Sequence, residues 1–345
     1  MIKAGASSSS ETTPRPTSYD VAKRAGVSQS AVSRCFRPGS SISQKTKDKV
    51  LKAAHDLGYF PNAMASGLMT KRTGLVAVII SSLTNLYYPE VLAEITQRLS
   101  DRGSRVLLFA LRAEGEVGEI LEQVWRYRVD GAVVAAQLSA EQLSDFAKHK
   151  VPVVLYNRSP GDEPVSSVSC DSFGGEKLLV DRLVAAGHRT FGILAGPDDS
   201  YVSRERVRGA IETLAGYSLE ATVTSGGFDY TSGRTGFVRL IDETEGTLDA
   251  VICANDLMAI GALDEARERA IAVPDALSIV GFDGVAPAAW GSYQLTTVRQ
   301  PVRRMSEAAV EMVLARIADP TCPPEARNFA GALMEGASAR LGTQS

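Results

Sequence analysis

From Gly74 onward the chain alternates short apolar, β-branched runs with helix-length amphipathic stretches, and this rhythm restricts the fold more than any other feature. The runs "LVAVIIS", "RVLLFA", "GAVVAA", "PVVLY", "TFGILA", "AVICA" and "SIVGF" have strand length. Between them the pattern predicts helices at Pro89–Arg102, Glu116–Arg128, near Ala140–Lys148, Phe173–Ala186, Ser203–Ala215 and Asn255–Ala270. Strands that are apolar on both faces need cover on both faces, which parallel sheets flanked by helices provide. A chain of 345 residues also exceeds one core. The expected body is therefore α/β, two doubly wound parallel-sheet lobes with a cleft at the C-terminal ends of the strands. Asn85, Tyr87, Asn157, Arg158, Arg206, Asn255 and Asp283 lie near those ends. As a group they suit a small hydroxylated or anionic ligand, and each singly also suits a helix cap or a surface charge.

Charge divides the chain unevenly. Residues 17–73 hold ten Lys/Arg against three Asp, a net +7, and residues 1–16 add +1. Residues 74–345 carry −11 within an overall −3. A basic head on an acidic body is the electrostatic pattern of a nucleic-acid-binding module joined to a second function. The first twenty residues, "MIKAGASSSSETTPRPTSYD", have no apolar central region, so the chain reads as a cytoplasmic protein with a disordered leader over 1–16. The longest apolar run, around Leu75–Ile80, is strand-sized, and no membrane partner is expected. Cys35, Cys170, Cys253 and Cys322 are far apart with no CxxC pair, which fits free thiols and neither a metal site nor a disulfide framework. No cofactor is implied.

The stretch "YDVAKRAGVSQSAVSR" (19–34) places small apolar residues every three or four positions and breaks at Gly26. Thr17 with Asp20 three residues later reads as a helix start, and Ser28 can cap a second helix. In that second helix Ala31, Val32 and Cys35 face inward, which leaves Gln29, Ser30, Ser33 and Arg34 toward solvent. A third helix starts at Ser43, with Val50, Leu51, Ala54 and Leu57 as its buried stripe and Gly58 as its stop. Three short helices with a tight Gly turn match an all-α helix-turn-helix head, whose second helix enters the major groove of DNA. Gln pairs with adenine and Arg with guanine through two hydrogen bonds each. A plain helical bundle with a polar outside is the other reading of this stretch.

These segments resemble the lactose/galactose repressor family of bacterial transcription regulators. "TSYDVAKRAGVSQSAVSR" and "VLKAAHDLGYFPNAMASGLMTKRTG" carry the likeness in the head. "RVDGAVVA", "PVVLYNRS", "LVAAGHRTFGILAGP", "AVICANDLMAIGAL", "SIVGFDG" and "LTTVRQPV" continue it in order, over about residues 17–340. The resemblance implies that Gln29, Ser30 and Arg34 read bases, and that Ser18, Tyr19, Ser28, Ser33 and Asn62 meet the phosphate backbone or minor-groove edge. It makes "PNAMASGLM" a hinge that folds on operator DNA, with Leu68 as a minor-groove wedge and Ala65 packed beside it. Gly67 lowers helix propensity there, and "RPGS" replaces the Asn-Gly frequent after the recognition helix. The body is similar to periplasmic sugar-binding proteins and is expected to sense a small carbohydrate or sugar acid. Arg206 takes the position of the family's ligand-clamping arginine. Asn157 stands where many relatives have Asp, which with Arg158 and Arg206 favours an acidic sugar or a phosphorylated ligand. Gly284 stands where a second Asp is frequent, and Tyr87 and Tyr88 either stack on a sugar ring or pack.

The resulting division is leader 1–16, helix-turn-helix domain 17–60, hinge and linker 61–73, and effector-binding and dimerisation body 74–345. The implied partners are near-palindromic double-stranded operator DNA, a small effector and a second copy of the chain. There is no GxSxG, HExxH, P-loop or dinucleotide fingerprint, and His55, His149 and His188 are dispersed, so no catalytic residue is expected. The alternative function is a solute-binding protein without a regulatory role.

Overall fold

The computed structural model describes residues 16–36, 40–60, 72–81, 83–111 and 116–343. The chain divides into two units, residues 1–73 and 74–345. In the first unit helix α1 (Ser18–Ala25) starts at a reciprocal capping box between Thr17 and Asp20. Gly26 ends it at φ +68°, in the left-handed region that a residue with a Cβ enters only with strain. Ser28 caps α2 (Gln29–Cys35), and Ser43 caps α3 (Gln44–Leu57). Val21, Ala22, Val32, Cys35, Val50, Ala53 and Ala54 form the core. Leu51, expected inside, is exposed, and Ala53 is buried in its stead. Val50, Ala53, Ala54 and Leu57 follow the i, i+3, i+4, i+7 stripe of one helix face, and Leu51 lies about 100° off it. The expected leader, the "RPG" turn at 37–39 and the hinge residues Asn62, Ala65, Gly67 and Leu68 lie outside the described residues.

The second unit contains two lobes. Lobe 1 opens with β1 (Leu75–Ser81), α4 (Tyr87–Asp101), β2 (Arg105–Leu111), α5 (Val117–Arg126) and β3 (Gly131–Ala135). It continues with α6 (Ala140–Lys148), β4 (Val153–Tyr156) and β5 (Ser166–Cys170). The chain then passes to lobe 2 as α7 (Ser172–Ala185), β6 (Phe191–Ala195), α8 (Tyr201–Gly216), β7 (Ala221–Ser225) and α9 (Tyr230–Glu243). There follow β8 (Ala250–Cys253), α10 (Asp256–Glu268), β9 (Ser278–Asp283) and β10 (Thr296–Arg299). It returns to lobe 1 as α11 (Val302–Ala318) and β11 (Ala326–Phe329), and ends in lobe 2 with β12 (Ala332–Met334). Sheet order is β11-β5-β4-β3-β1-β2 in one lobe and β12-β10-β9-β8-β6-β7 in the other, with β12 the antiparallel member. Strand order reverses between β1 and β3 and between β6 and β8, so each sheet has a switch point where a crevice opens.

The apolar rhythm does not predict the strands β5, β7, β10, β11 and β12 or the helices α9 and α11. β5 reads "SSVSC" and β7 reads "ATVTS", and their backbone pairing rather than an apolar run makes them strands. Helix α9 carries Gly233 because a Cβ there would stand 2.3 Å from the Met258 carbonyl oxygen of α10. Among the described residues no helix is long and apolar enough to cross a membrane.

Candidate functional site

On the head, α2 presents Gln29, Ser30 and Arg34 to solvent, with Ser33 partly covered. Local bonds hold this face in place. Ser28 Oγ accepts from the Ala31 amide, Ser28 and Ser30 hydroxyls are 3.0 Å apart, and Gln29 Nε2 donates to Ser18 Oγ at 3.3 Å. Tyr19 stands 72% exposed on α1. The head thus offers hydrogen-bonding side chains on one short helix and on the helix start before it.

In the body, the cleft between the lobes holds about 580 Å³, part of it open to solvent. Lobe 1 contributes Ser81, Asn85, Tyr87, Tyr88, Asn157 and Arg158, which follow the ends of β1 and β4. Lobe 2 contributes Pro197, Asp199, Ser200, Val202, Arg206, Phe228 and Asp283, and Gln300 enters from the crossover between β10 and α11. Asn157 and Asp283 turn their side chains off the strand ends with φ +50° and +121°. Asn tolerates the first value, but the second is a region that a residue with a Cβ rarely enters, so strain is stored at this position. Gly284 follows at φ +70°, and a Cβ there would stand 2.6 Å from Arg299 Cβ. In this structure a residue with a Cβ at this position would therefore have to displace Arg299.

One hydrogen-bonded chain crosses the cleft. Arg206 Nη2 donates to Asp283 Oδ1 at 2.8 Å, and Gln300 Nε2 donates to the same oxygen at 2.8 Å. Asn157 Nδ2 donates to Gln300 Oε1 at 2.8 Å and to the Tyr87 hydroxyl at 3.1 Å. Arg206 Nη1 also reaches the Ala254 carbonyl, and its guanidinium lies 3.9 Å over the Phe282 ring. Arg158 donates to the Tyr88 hydroxyl, to Ser81 Oγ and to the Asn157 carbonyl. Burial raises the Asp283 carboxyl, and the Arg206 charge and the Gln300 bond oppose it. Burial likewise pushes the Tyr87 hydroxyl well up, so it is a neutral donor and acceptor. Asp256, completely buried beside Asp283, is also raised, by burial first and then by Asp283.

Asn255 stands apart from this group. Its Oδ1 accepts from the Met258 amide as the cap of α10, and its Nδ2 donates to the Phe228 carbonyl at 2.9 Å. It holds a cleft-lining loop in place and is not itself among the lining residues. Pattern reading misses Ser81, Asp199, Ser200, Phe228 and Gln300. The signal for Gln300 is its place directly after a strand, "TTVRQP", which the apolar rhythm does not reveal as one. Among the described residues no group of three or more His, Cys, Asp or Glu could hold a metal ion.

Residues 17–62 match the bacterial regulatory protein, lacI family model, and residues 180–339 match the periplasmic binding protein-like domain. The transcriptional regulator AscG of Escherichia coli is 31% identical over 85% of this chain and 90% of its own length. The transcriptional regulator CelR in complex with cellobiose superposes with a TM-score of 0.72 at 30% identity, covering 94% of this chain and 100% of that one. The lac repressor dimer bound to operator and an anti-inducer superposes at 0.84 with 26% identity, covering 94% and 99%. A helix-turn-helix head, two parallel-sheet lobes and collinear similarity along nearly the whole chain agree, and the protein belongs to the LacI family of transcription regulators.

Proposed function

We propose that this chain is a dimeric repressor that binds operator DNA through α2 and is controlled by a sugar held in the cleft. The interlobe chain from Arg206 through Asp283, Gln300 and Asn157 to Tyr87 carries the reading. A ligand that competes for these groups touches both lobes and so changes their relative stability in open and closed forms. Its chemistry follows from the charges. Arg206 is matched by Asp283, Asp199 also lines the cleft, and Arg158 is engaged by Tyr88, Ser81 and a carbonyl. With no excess positive charge to offer, the cleft suits a neutral polyhydroxylated sugar better than the acidic or phosphorylated ligand expected from the arginines alone. CelR, with its bound cellobiose, is consistent with that class.

Gln29, Ser30 and Arg34 take the base-reading role, and Ser18, Tyr19, Ser28, Ser33 and Asn62 the backbone or minor-groove contacts. Ala65 and Leu68 form the hinge wedge. Lobe movement then alters how two hinges in a dimer meet, and with it operator affinity. The protein acts in the cytoplasm and is not an enzyme; a solute-binding role would leave the basic head without a purpose. The test is a thermal-shift screen of the full chain against neutral sugars, sugar acids and sugar phosphates, since a ligand of the folded state stabilises it by mass action. A neutral sugar should raise the melting temperature of wild type and leave Arg206→Lys unmoved. Stabilisation by sugar phosphates alone refutes the charge argument.

A further inference from the structure

Behind the cleft wall lies a carboxyl group that the ligand-binding reading does not use. Glu176 is 1% exposed on α7, and among the described residues neither of its oxygens has a hydrogen-bond partner. Arg206, on the neighbouring α8, has the complementary deficit: both Nη atoms are bonded, while its buried Nε has no acceptor among the described residues. The two helices approach closely at this point. A Cβ on Gly209, one helical turn after Arg206, would stand 2.8 Å from the Phe173 carbonyl and 3.2 Å from Glu176 Cβ. A Cβ on Gly175 would touch the Phe282 ring on which Arg206 stacks. Glu176 thus sits among the groups that hold the clamp.

Its charged surroundings are few. Arg206 on α8 favours its ionised form, Asp283 on β9 opposes it, and the buried Cys253 thiol on β8 feels its charge. Of the other strands packed on α7, β10 ends at Arg299, which pairs with Glu90, and Glu335 just after β12 pairs with Arg182 of α7. Burial dominates, and holds the Glu176 carboxyl up at about 8. At neutral pH it is a neutral acid.

We propose that Glu176 is a positioning residue for Arg206: protonated, it leaves the guanidinium to Asp283 and the cleft, and ionised, it takes the free Nε and draws the guanidinium off Asp283. One proton passes to solvent, no covalent bond to carbon changes, and the clamp is withdrawn from the ligand side. The consequence for binding rests on the reading of Arg206 as a ligand clamp. The movement of Arg206 does not.

The experiment follows the arginine Nε–H signals of the nitrogen-15-labelled full chain by NMR from about pH 6 to about pH 9. The Arg206 signal is assigned by its loss in Arg206→Lys. In wild type it should shift with a single midpoint near 8 as the Nε–H gains an acceptor. In Glu176→Gln it should stay at the acid position, and in Asp256→Asn the shift should persist. An unmoved signal in wild type, or the same shift in Glu176→Gln, overturns the proposal. Agreement of the Glu176→Gln spectrum with wild type at about pH 6 verifies that the variant is folded. For any sugar found in the thermal screen, affinity should fall about tenfold per pH unit above the midpoint in wild type and stay flat in Glu176→Gln. The NMR arm needs no ligand, so its failure leaves the cleft assignment standing, and an empty screen leaves the proton-controlled arginine standing.

Discussion

Removing the guanidinium of Arg206 while keeping its stem, as in Arg206→Met, should cost the body about 4 kcal/mol at neutral pH. Arg206 and Asp283 are 2% and 4% exposed, and their ion pair is a 2.8 Å contact. Breaking one side of a buried pair typically costs about 3–5 kcal/mol, because the remaining charge has lost its partner without regaining water. Asp283 has one escape, which is to bind a proton. From an ordinary carboxylate value near 3.9, protonation at pH 7 costs about 1.36 kcal/mol for each of roughly three pH units, again about 4 kcal/mol. That route fixes the sign of the pH dependence. At about pH 5 protonation costs only about 1.5 kcal/mol, so on the same count the penalty should shrink by more than half. In the double variant Arg206→Met/Asp283→Asn the buried charge is gone. The introduced amide oxygen would still accept from Gln300, so most of the loss should be recovered. Both tryptophans, Trp125 and Trp290, lie in residues 74–345, so urea unfolding followed by their fluorescence reads the body without the head. A penalty that does not change between about pH 7 and pH 5, together with additive single and double variants, would refute the account of Arg206 as the counter-charge of Asp283.

Arg34→Ala should weaken operator binding by roughly 1–3 kcal/mol and relax selectivity at one base pair per half-site, read by competition gel shift. Equal weakening on every sequence would place Arg34 on phosphate. Gly284→Ala should destabilise the body by about 2–4 kcal/mol in the urea assay, since it adds left-handed strain to a clash with Arg299. Wild-type stability relative to Glu176→Gln should fall as pH rises from about 4.5 to about 8, by up to about 1.4 kcal/mol per pH unit, and level off above. The sign follows from a folded-state value raised above the unfolded one: the contribution is full below the unfolded value and is lost through the folded one. No change over that range would mean that Glu176 is ionised in the folded protein.

What the sequence by itself determined is local. Thr17, Ser28 and Ser43 cap amides three residues away, and Gly26 and Gly58 end helices by a backbone conformation that needs no distant partner. The apolar strands are legible for the same reason: "LVAVIIS" is buried on nearly every residue, and its composition alone demands cover on both faces. Only the tertiary structure made strands of "SSVSC" and "ATVTS", because their partners, β4 and β11 for one and β6 for the other, supply the ladder that composition does not predict. The site divides along the same line. Strand-end position brings Asn85, Tyr87, Asn157, Arg158 and Asp283 to one cleft, Arg206 reaches it from the second turn of α8, and the strand ends can be read from the alternation of strand and helix. The same reading cannot tell a ligand contact from a cap, and at Asn255 the side chain's hydrogen bonds are taken by α10 and the Phe228 loop. Nor could the arginines' charge be assigned without the fold. Arg206 is neutralised by a residue 77 positions away, and Glu176 acquires its proton from burial between helices, a property of the packed interior that no local spacing encodes.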